Sequence, residues 1–127
     1  MDPRQAQDLV RCYFSRLLNE QDLSVCDEML SPAYVDHDAP ADAPLGPAET
    51  RAFVSGFLDD HPDMRVRIKD TSAEGNKVTA HLVWKGTNRH TGAPFHQMGT
   101  VIIALDEAGR FVERWSTYTP LPLGSAG

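Results

Sequence analysis

The chain has 127 residues, the length of one domain running from 1 to 127 and enough to bury a single core with a pocket inside it. Twelve basic residues stand against eighteen acidic ones, a net charge of −6, and no Lys/Arg cluster breaks that background, so neither nucleic acid nor an anionic membrane surface is expected as a partner. No apolar run approaches the ~20 residues that span a bilayer, and the N-terminus lacks the basic and apolar regions of a signal peptide, so a cytoplasmic location is expected.

Three helices are predicted first. Ala6, Leu9, Val10, Tyr13, Phe14, Leu17 and Leu18 recur at alternating steps of three and one, a broad apolar stripe on a helix of period 3.6. Asp2, Pro3 and Gln5 fit its N-cap, first and third positions. A shorter helix after Asp22 buries Leu23, Cys26, Met29 and Leu30 before Pro32 stops it. Cys12 and Cys26 fall in these helices without CxxC spacing and read as reduced packing residues. Gly46 and Pro47 start a third helix whose apolar face is Phe53, Val54, Phe57 and Leu58, with Pro62 beyond its end.

After the third helix the period becomes two and the punctuation that of hairpins. Strands are predicted over 64–70, 77–87, 95–105 and 110–118, with turns at 73–76, 88–92 and 106–109. Pro120, Pro122 and Gly124 end regular structure, so 119–127 reads as a frayed tail. Helices followed by an antiparallel meander give an α+β layout in which a curved sheet wraps around the helices.

The stretch YVDHD at 34–38 is the first place to look for chemistry. His37 between Asp36 and Asp38 can be held in one tautomer and its imidazolium stabilised, which suits proton transfer near neutral pH; equally, the two aspartates can bond the amides of a turn. His96 shares a strand face with Met98, Thr100, Ile102 and Ala104, and a neutral imidazole among apolar neighbours is a usable base. His81, on the face opposite Leu82 and Trp84, is expected to meet solvent or a partner subunit, and His61 and His90 fall in turns. Tyr13 or Phe14, Tyr34, Phe53, Phe57, Trp84 and Trp115 are available to line an apolar pocket or to fill the core. Trp115, Thr117 and Thr119 share one face of the last strand, with Tyr118 on the other. Neighbouring residues of YVDHD point to opposite faces if extended and no second His/Cys cluster lies at ligand spacing, so no metal site is expected; phosphate cradles and nucleophile elbows are absent as well.

The order of YVDHD at 34–38, Gly46 with Phe53 and Phe57, HPDMRVRIKD at 61–70, AEGNKV at 73–78, WKGTNRHTG at 84–92 and GRFVERW at 109–115 resembles the SnoaL-like polyketide cyclases, within the cone-shaped domains related to nuclear transport factor 2. The resemblance implies a cone-shaped barrel, a curved and mostly antiparallel sheet wrapped around the N-terminal helices. It implies a homo-oligomer, dimer or tetramer, formed through an outer sheet face carrying Val83 or Ile102. It also implies a cyclase or isomerase without cofactor or metal, working on a small apolar or aromatic carbonyl-bearing metabolite with an acid/base carboxylate four residues after the last-strand tryptophan.

Here Trp115 is followed at that distance by Thr119, whose hydroxyl is no general base. On this reading His96 or His37, aided by Asp36 or Asp38, replaces the acid, and Thr117 and Thr119 supply hydroxyls to the pocket. The alternative is a non-catalytic binding or interaction domain that has lost its catalytic carboxylate. An epoxide hydrolase would need an acid after Trp115, and a steroid isomerase more carboxylates deep in the sheet; neither is offered.

Overall fold

The computed structural model describes residues 2–122. Helix α1, Pro3–Phe14, begins on a capping box: the Asp2 carboxylate accepts from the Arg4 amide at 2.9 Å while the Asp2 amide donates to Gln5 Oε1 at 3.2 Å. The apolar stripe then passes through a π-turn, Ser15–Asn19, which keeps Leu17 and Leu18 in the core beside Val10, Tyr13 and Phe14. Arg16 leaves this turn to bond Asp22 and Glu28, each at 2.7 Å, tying it to α2, Ser24–Met29.

Helix α2 is shorter than its apolar pattern. Leu30 is already extended and opens strand β1, Leu30–Asp36; Ser31, the residue before Pro32, is steered away from the helical region, and Pro32 is tolerated because β1 is a sheet edge. Helix α3, Pro47–Asp60, starts after Gly46, whose φ of +99° and Cβ direction, 3.1 Å from the Pro32 carbonyl oxygen, suit only glycine. The Gly46 amide donates to the Tyr34 carbonyl at 2.9 Å and so closes the 37–46 loop back onto β1. The apolar face expected of α3 is divided: Val54 and Leu58 are buried, Phe57 is half-buried and Phe53 is exposed.

Strands β2 (Arg65–Glu74), β3 (Lys77–Thr87), β4 (Pro94–Leu105) and β5 (Phe111–Pro120) form an antiparallel meander, and β1 adds to β5 in parallel, giving the order β1-β5-β4-β3-β2. The sheet is mixed and open. The expected cone-shaped barrel is therefore incorrect, because closure needs the two edge strands to bond each other. Instead β2 gives edge groups to the helical layer: Asn19 accepts from the Val66 amide at 2.8 Å and donates to its carbonyl at 3.0 Å, and Gln7 donates to the Thr71 carbonyl at 3.3 Å. The α+β layout with a sheet against the N-terminal helices stands.

Pairing register assigns the faces. Leu82, Gly99 and Tyr118 form one row on the inner face, as do Val78, Ile103 and Arg114; Thr79, Ile102 and Trp115 form a row on the outer face, and Lys85 pairs with His96 there. Between Leu105↔Phe111 and Ala104↔Glu113 the β5 register slips by one residue at Val112. This bulge inverts the alternation: Phe111 is buried in the core, yet Arg114, Ser116 and Tyr118 point inward while Trp115, Thr117 and Thr119 point out. The tail also begins later than expected, since Thr119 and Pro120 pair with Met98 and Gln97 and the Leu121 amide donates to the His96 carbonyl at 2.9 Å. Residues 123–127 of that expected tail lie outside the described residues. Cys26 is buried, whereas Cys12, expected to pack, is exposed; both are free.

Candidate active site

A cavity of about 860 Å³ lies between α3, the 37–46 loop and the inner face of β3–β5. Phe14, Leu17, Val54, Phe57, Trp84 and Phe95 make its apolar wall. Phe14 and Phe57 both meet Trp84 edge-on, with ring centroids 6.4 and 6.2 Å away, and Phe57 meets Phe95 at 5.4 Å, so the aromatic wall is braced from four elements, α1, α3, β3 and β4. Leu45, Phe53 and Tyr118, the exposed large hydrophobic residues among those described, all line this same cavity.

Against this wall stands one polar chain. Ser116 Oγ donates to Asp38 Oδ2 at 2.6 Å and accepts from Arg114 Nε at 3.2 Å, and Arg114 Nη2 donates to the Tyr118 hydroxyl at 2.6 Å. Two structural features place it. The bulge in β5 turns Arg114, Ser116 and Tyr118 inward together. The YVDHD stretch leaves β1 in a tight turn, in which Asp36 Oδ1 accepts the Asp38 amide at 2.9 Å and the His37 amide donates to the Arg114 carbonyl at 2.9 Å, carrying Asp38 across to Ser116. Tyr118 can lie flat only because its neighbour is Gly99: a Cβ there would meet the Tyr118 ring at 2.9 Å and Trp84 Nε1 at 3.3 Å.

The electrostatics of the cavity centre on Arg114. Burial works against its charge, but the hydroxyls of Tyr118, Tyr34 and Tyr13 and the Asp36 carboxylate outweigh it and raise the guanidinium pKa above its ordinary value. Its carbon sits 5.7 Å from the centre of the Phe14 ring, a cation–π contact that further suits an apolar wall. Tyr34 is pushed up to about 12, chiefly by burial, with Asp36 adding to the effect and Arg114 opposing it. Among the described residues Trp84 Nε1 is buried without a hydrogen-bond partner.

Of the residues singled out from sequence, Phe14, Tyr34, Asp36, His37, Asp38, Phe53, Phe57 and Trp84 line the cavity, and Tyr13, His96, Trp115, Thr117 and Thr119 do not. Tyr13 is core, edge-on to Phe14 and Phe111. His96 is buried on the outer face, its Nδ1 at 3.2 Å from the Pro122 carbonyl. Its expected face is correct as a set with Met98 and Ile102, but that set faces away from the cavity. His37 reaches the cavity rim while its ring stacks on Trp115, 4.7 Å between centroids and 7° from parallel, with Nε2 at 3.4 Å from Glu113. Thr117 and Thr119 are exposed. Among the described residues no group of three or more His, Cys, Asp or Glu side chains is arranged to hold a metal ion.

Sequence reasoning missed Arg114, Ser116 and Tyr118. Their signal is an arginine followed at steps of two by hydroxyl groups, on a strand whose other face carries a tryptophan; assigning the tryptophan face to the pocket hides it.

The SnoaL-like polyketide cyclase family model matches residues 7–125. No curated protein matches the chain. Among solved structures, TsrD from Streptomyces laurentii superposes with a TM-score of 0.82 at 22% identity, over 93% of this chain and 90% of that one. IdmH from Streptomyces antibioticus gives 0.73 at 26% identity, over 90% and 91%. A SnoaL-like polyketide cyclase from Agrobacterium tumefaciens gives 0.78 at 16% identity, over 94% and 93%. The family match over nearly the whole chain and the shared fold agree: the chain belongs to the SnoaL-like polyketide cyclase family, in the superfamily of nuclear transport factor 2-like domains.

Proposed function

We propose that this protein is a cofactor-independent cyclase or isomerase that moves a proton next to a carbonyl of a small apolar metabolite, a polyketide being the class the family suggests. The observation that carries this reading is the Asp38 carboxylate, facing the aromatic wall of the cavity from its polar side and held by Ser116 at 2.6 Å. Among the described residues only its Oδ2 is hydrogen-bonded, which leaves Oδ1 for a substrate proton. Asp38, with Asp36 beside it, is the acid/base group of this proposal, and His96 has no part in it. Phe14, Phe57 and Trp84 hold the flat body of the substrate, and positioning two parts of one molecule replaces a bimolecular encounter.

The test is conversion of linear poly-β-ketone esters, followed by mass spectrometry for loss of water or by absorbance for aromatic ring formation. Turnover by the wild type and its loss in Asp38→Asn support the reading; equal background rates with both proteins overturn it. A homo-oligomer formed through the outer sheet face, in the cytoplasm, belongs to the same proposal, and sedimentation as a strict monomer would remove the assembly.

A second reading, a binding domain without catalysis, is favoured by the position four residues after Trp115: it is Thr119, exposed on the outer face. It predicts tight ligand binding, unaltered in Asp38→Asn, with no product.

A further inference from the structure

We infer that Tyr118 is a catalytic hydrogen-bond donor to an oxyanion, so that the ligand of this cavity presents an enol, enolate or phenolate oxygen at its β5 wall; the inference rests on the proposed acid/base reading of the same site. The Tyr118 hydroxyl accepts from Arg114 Nη2 at 2.6 Å, and among the described residues it donates to nothing. A hydroxyl carries one proton to give. With its oxygen already holding a guanidinium N–H, that proton is left for a ligand and is polarised by the adjoining positive charge.

The direction is fixed by packing. The ring lies against Gly99 and meets Trp84 edge-on at 6.1 Å between centroids, and both Tyr118 and Trp84 line the cavity. Asp38 and Tyr118 are thus the two ends of one hydrogen-bonded chain, Asp38–Ser116–Arg114–Tyr118, with the carboxylate at one end and the free O–H at the other.

This arrangement serves a balanced step. Asp38 takes a proton from the carbon next to a ketone, the C–H electron pair forms the C=C bond of an enolate, and the carbonyl π pair moves onto oxygen, where the Tyr118 O–H stabilises it. In a cyclase the enolate carbon then attacks a second carbonyl of the same molecule, and the resulting alkoxide takes back the proton from Asp38. In an isomerase the proton returns to another carbon. No oxidant, reductant or second substrate is required.

The experiment uses the full chain and two probes of one shape: an electron-poor 2-naphthol that is ionised at the assay pH, and naphthalene bearing the same substituents without the oxygen. Affinities are measured in Asp38→Asn, which reproduces the charge of the protonated base, and in Asp38→Asn with Tyr118→Phe. Hydrogen bonds to charged groups lead to an expected preference for the naphtholate of about 10- to 100-fold in Asp38→Asn. Tyr118→Phe should erase about tenfold or more of it, leaving naphthalene binding unchanged because the ring stays in place.

No preference in Asp38→Asn, or a preference that survives Tyr118→Phe, overturns the inference while leaving the acid/base reading intact. If neither probe binds, the apolar-ligand cavity fails, and the functional reading falls with it. Tyr118 is 45% exposed, so the single-atom change leaves the core untouched; circular dichroism of both variants confirms folding.

Discussion

The two faces of strand β5 carry similar residue types and do different things. Inward, Arg114, Ser116 and Tyr118 are joined to Asp38 through three hydrogen bonds of 2.6 to 3.2 Å, at the edge of an apolar cavity. Outward, Trp115 is stacked on by the His37 ring and has Lys77 Nζ 5.0 Å from its centre, while Thr117 and Thr119 are exposed. Hydroxyl groups occur on both sides, so residue type does not separate them. What separates them is company: the inward hydroxyls are hydrogen-bonded to a guanidinium and a carboxylate, and charge-assisted bonds are the stronger ones, whereas the outward ones are exposed to solvent.

The comparison breaks first at Asp38. Asp38→Asn should lower turnover about 10²- to 10⁴-fold, the scale for removing a general base, with thermal stability close to wild type; unchanged turnover would end the claim that the inner chain holds the base. Leu82→Ala removes a fully buried inner-face side chain and is expected to cost about 2–5 kcal/mol in denaturant unfolding. If it costs as little as an outer-face change, the core does not sit between this face and the helices.

Gly99→Ala tests the cavity floor more gently. The added methyl, 2.9 Å from the Tyr118 ring, must push that ring aside, and about a tenfold loss of turnover is expected from a misplaced donor. Turnover equal to wild type would show that the exact pose of Tyr118 is dispensable.

Alkali sharpens the comparison at Tyr34. Its phenol is raised from 10.0 to about 12 by burial, so the fold favours the protonated form. That contribution to stability is complete below the ordinary value and is lost as the pH climbs through the folded one. Alkaline unfolding followed by circular dichroism should steepen across this window, and Tyr34→Phe should flatten it; identical profiles would contradict the burial of the hydroxyl.

The smallest effects belong outside. Thr117→Ala is expected to shift stability by no more than about 0.5 kcal/mol, and Thr119→Asp should add no turnover, because a carboxylate at that position points away from the cavity. A gain with Thr119→Asp would place the active face of β5 on the side opposite Arg114.

Much of the fold is legible in the residues. Asp2, Pro3 and Gln5 do mark the start of α1, Gly46 and Pro47 that of α3, and the turns at Gly75, Gly92 and Gly109 fall between strands of the expected order. The Tyr34 and 36–38 region, Phe57 and Trp84 do reach the cavity. The grouping of Trp115, Thr117 and Thr119 on one face of β5 and Tyr118 on the other is correct, but the pocket face implied by the resemblance is not: the bulge at Val112 turns Arg114, Ser116 and Tyr118 inward instead. His96 fails for a related reason. Period two groups residues within a strand but does not say which group faces the helices, and only the pairing of Lys85 with His96 places that group on the outer face.

Sequence alone determined what depends on near neighbours: caps, turn residues, the switch of period from 3.6 to 2, and the family to which their order belongs. Tertiary structure decided what depends on groups distant in the chain. Asn19 reaching Val66 ties the β2 edge to the helical layer rather than to a further strand, and the sheet stays open. Ser116 meeting Asp38, 78 positions away, joins a residue that the sequence singled out to one that it did not. Such contacts leave no local pattern, because hydrogen-bond partners are chosen by which faces the packed core turns toward each other.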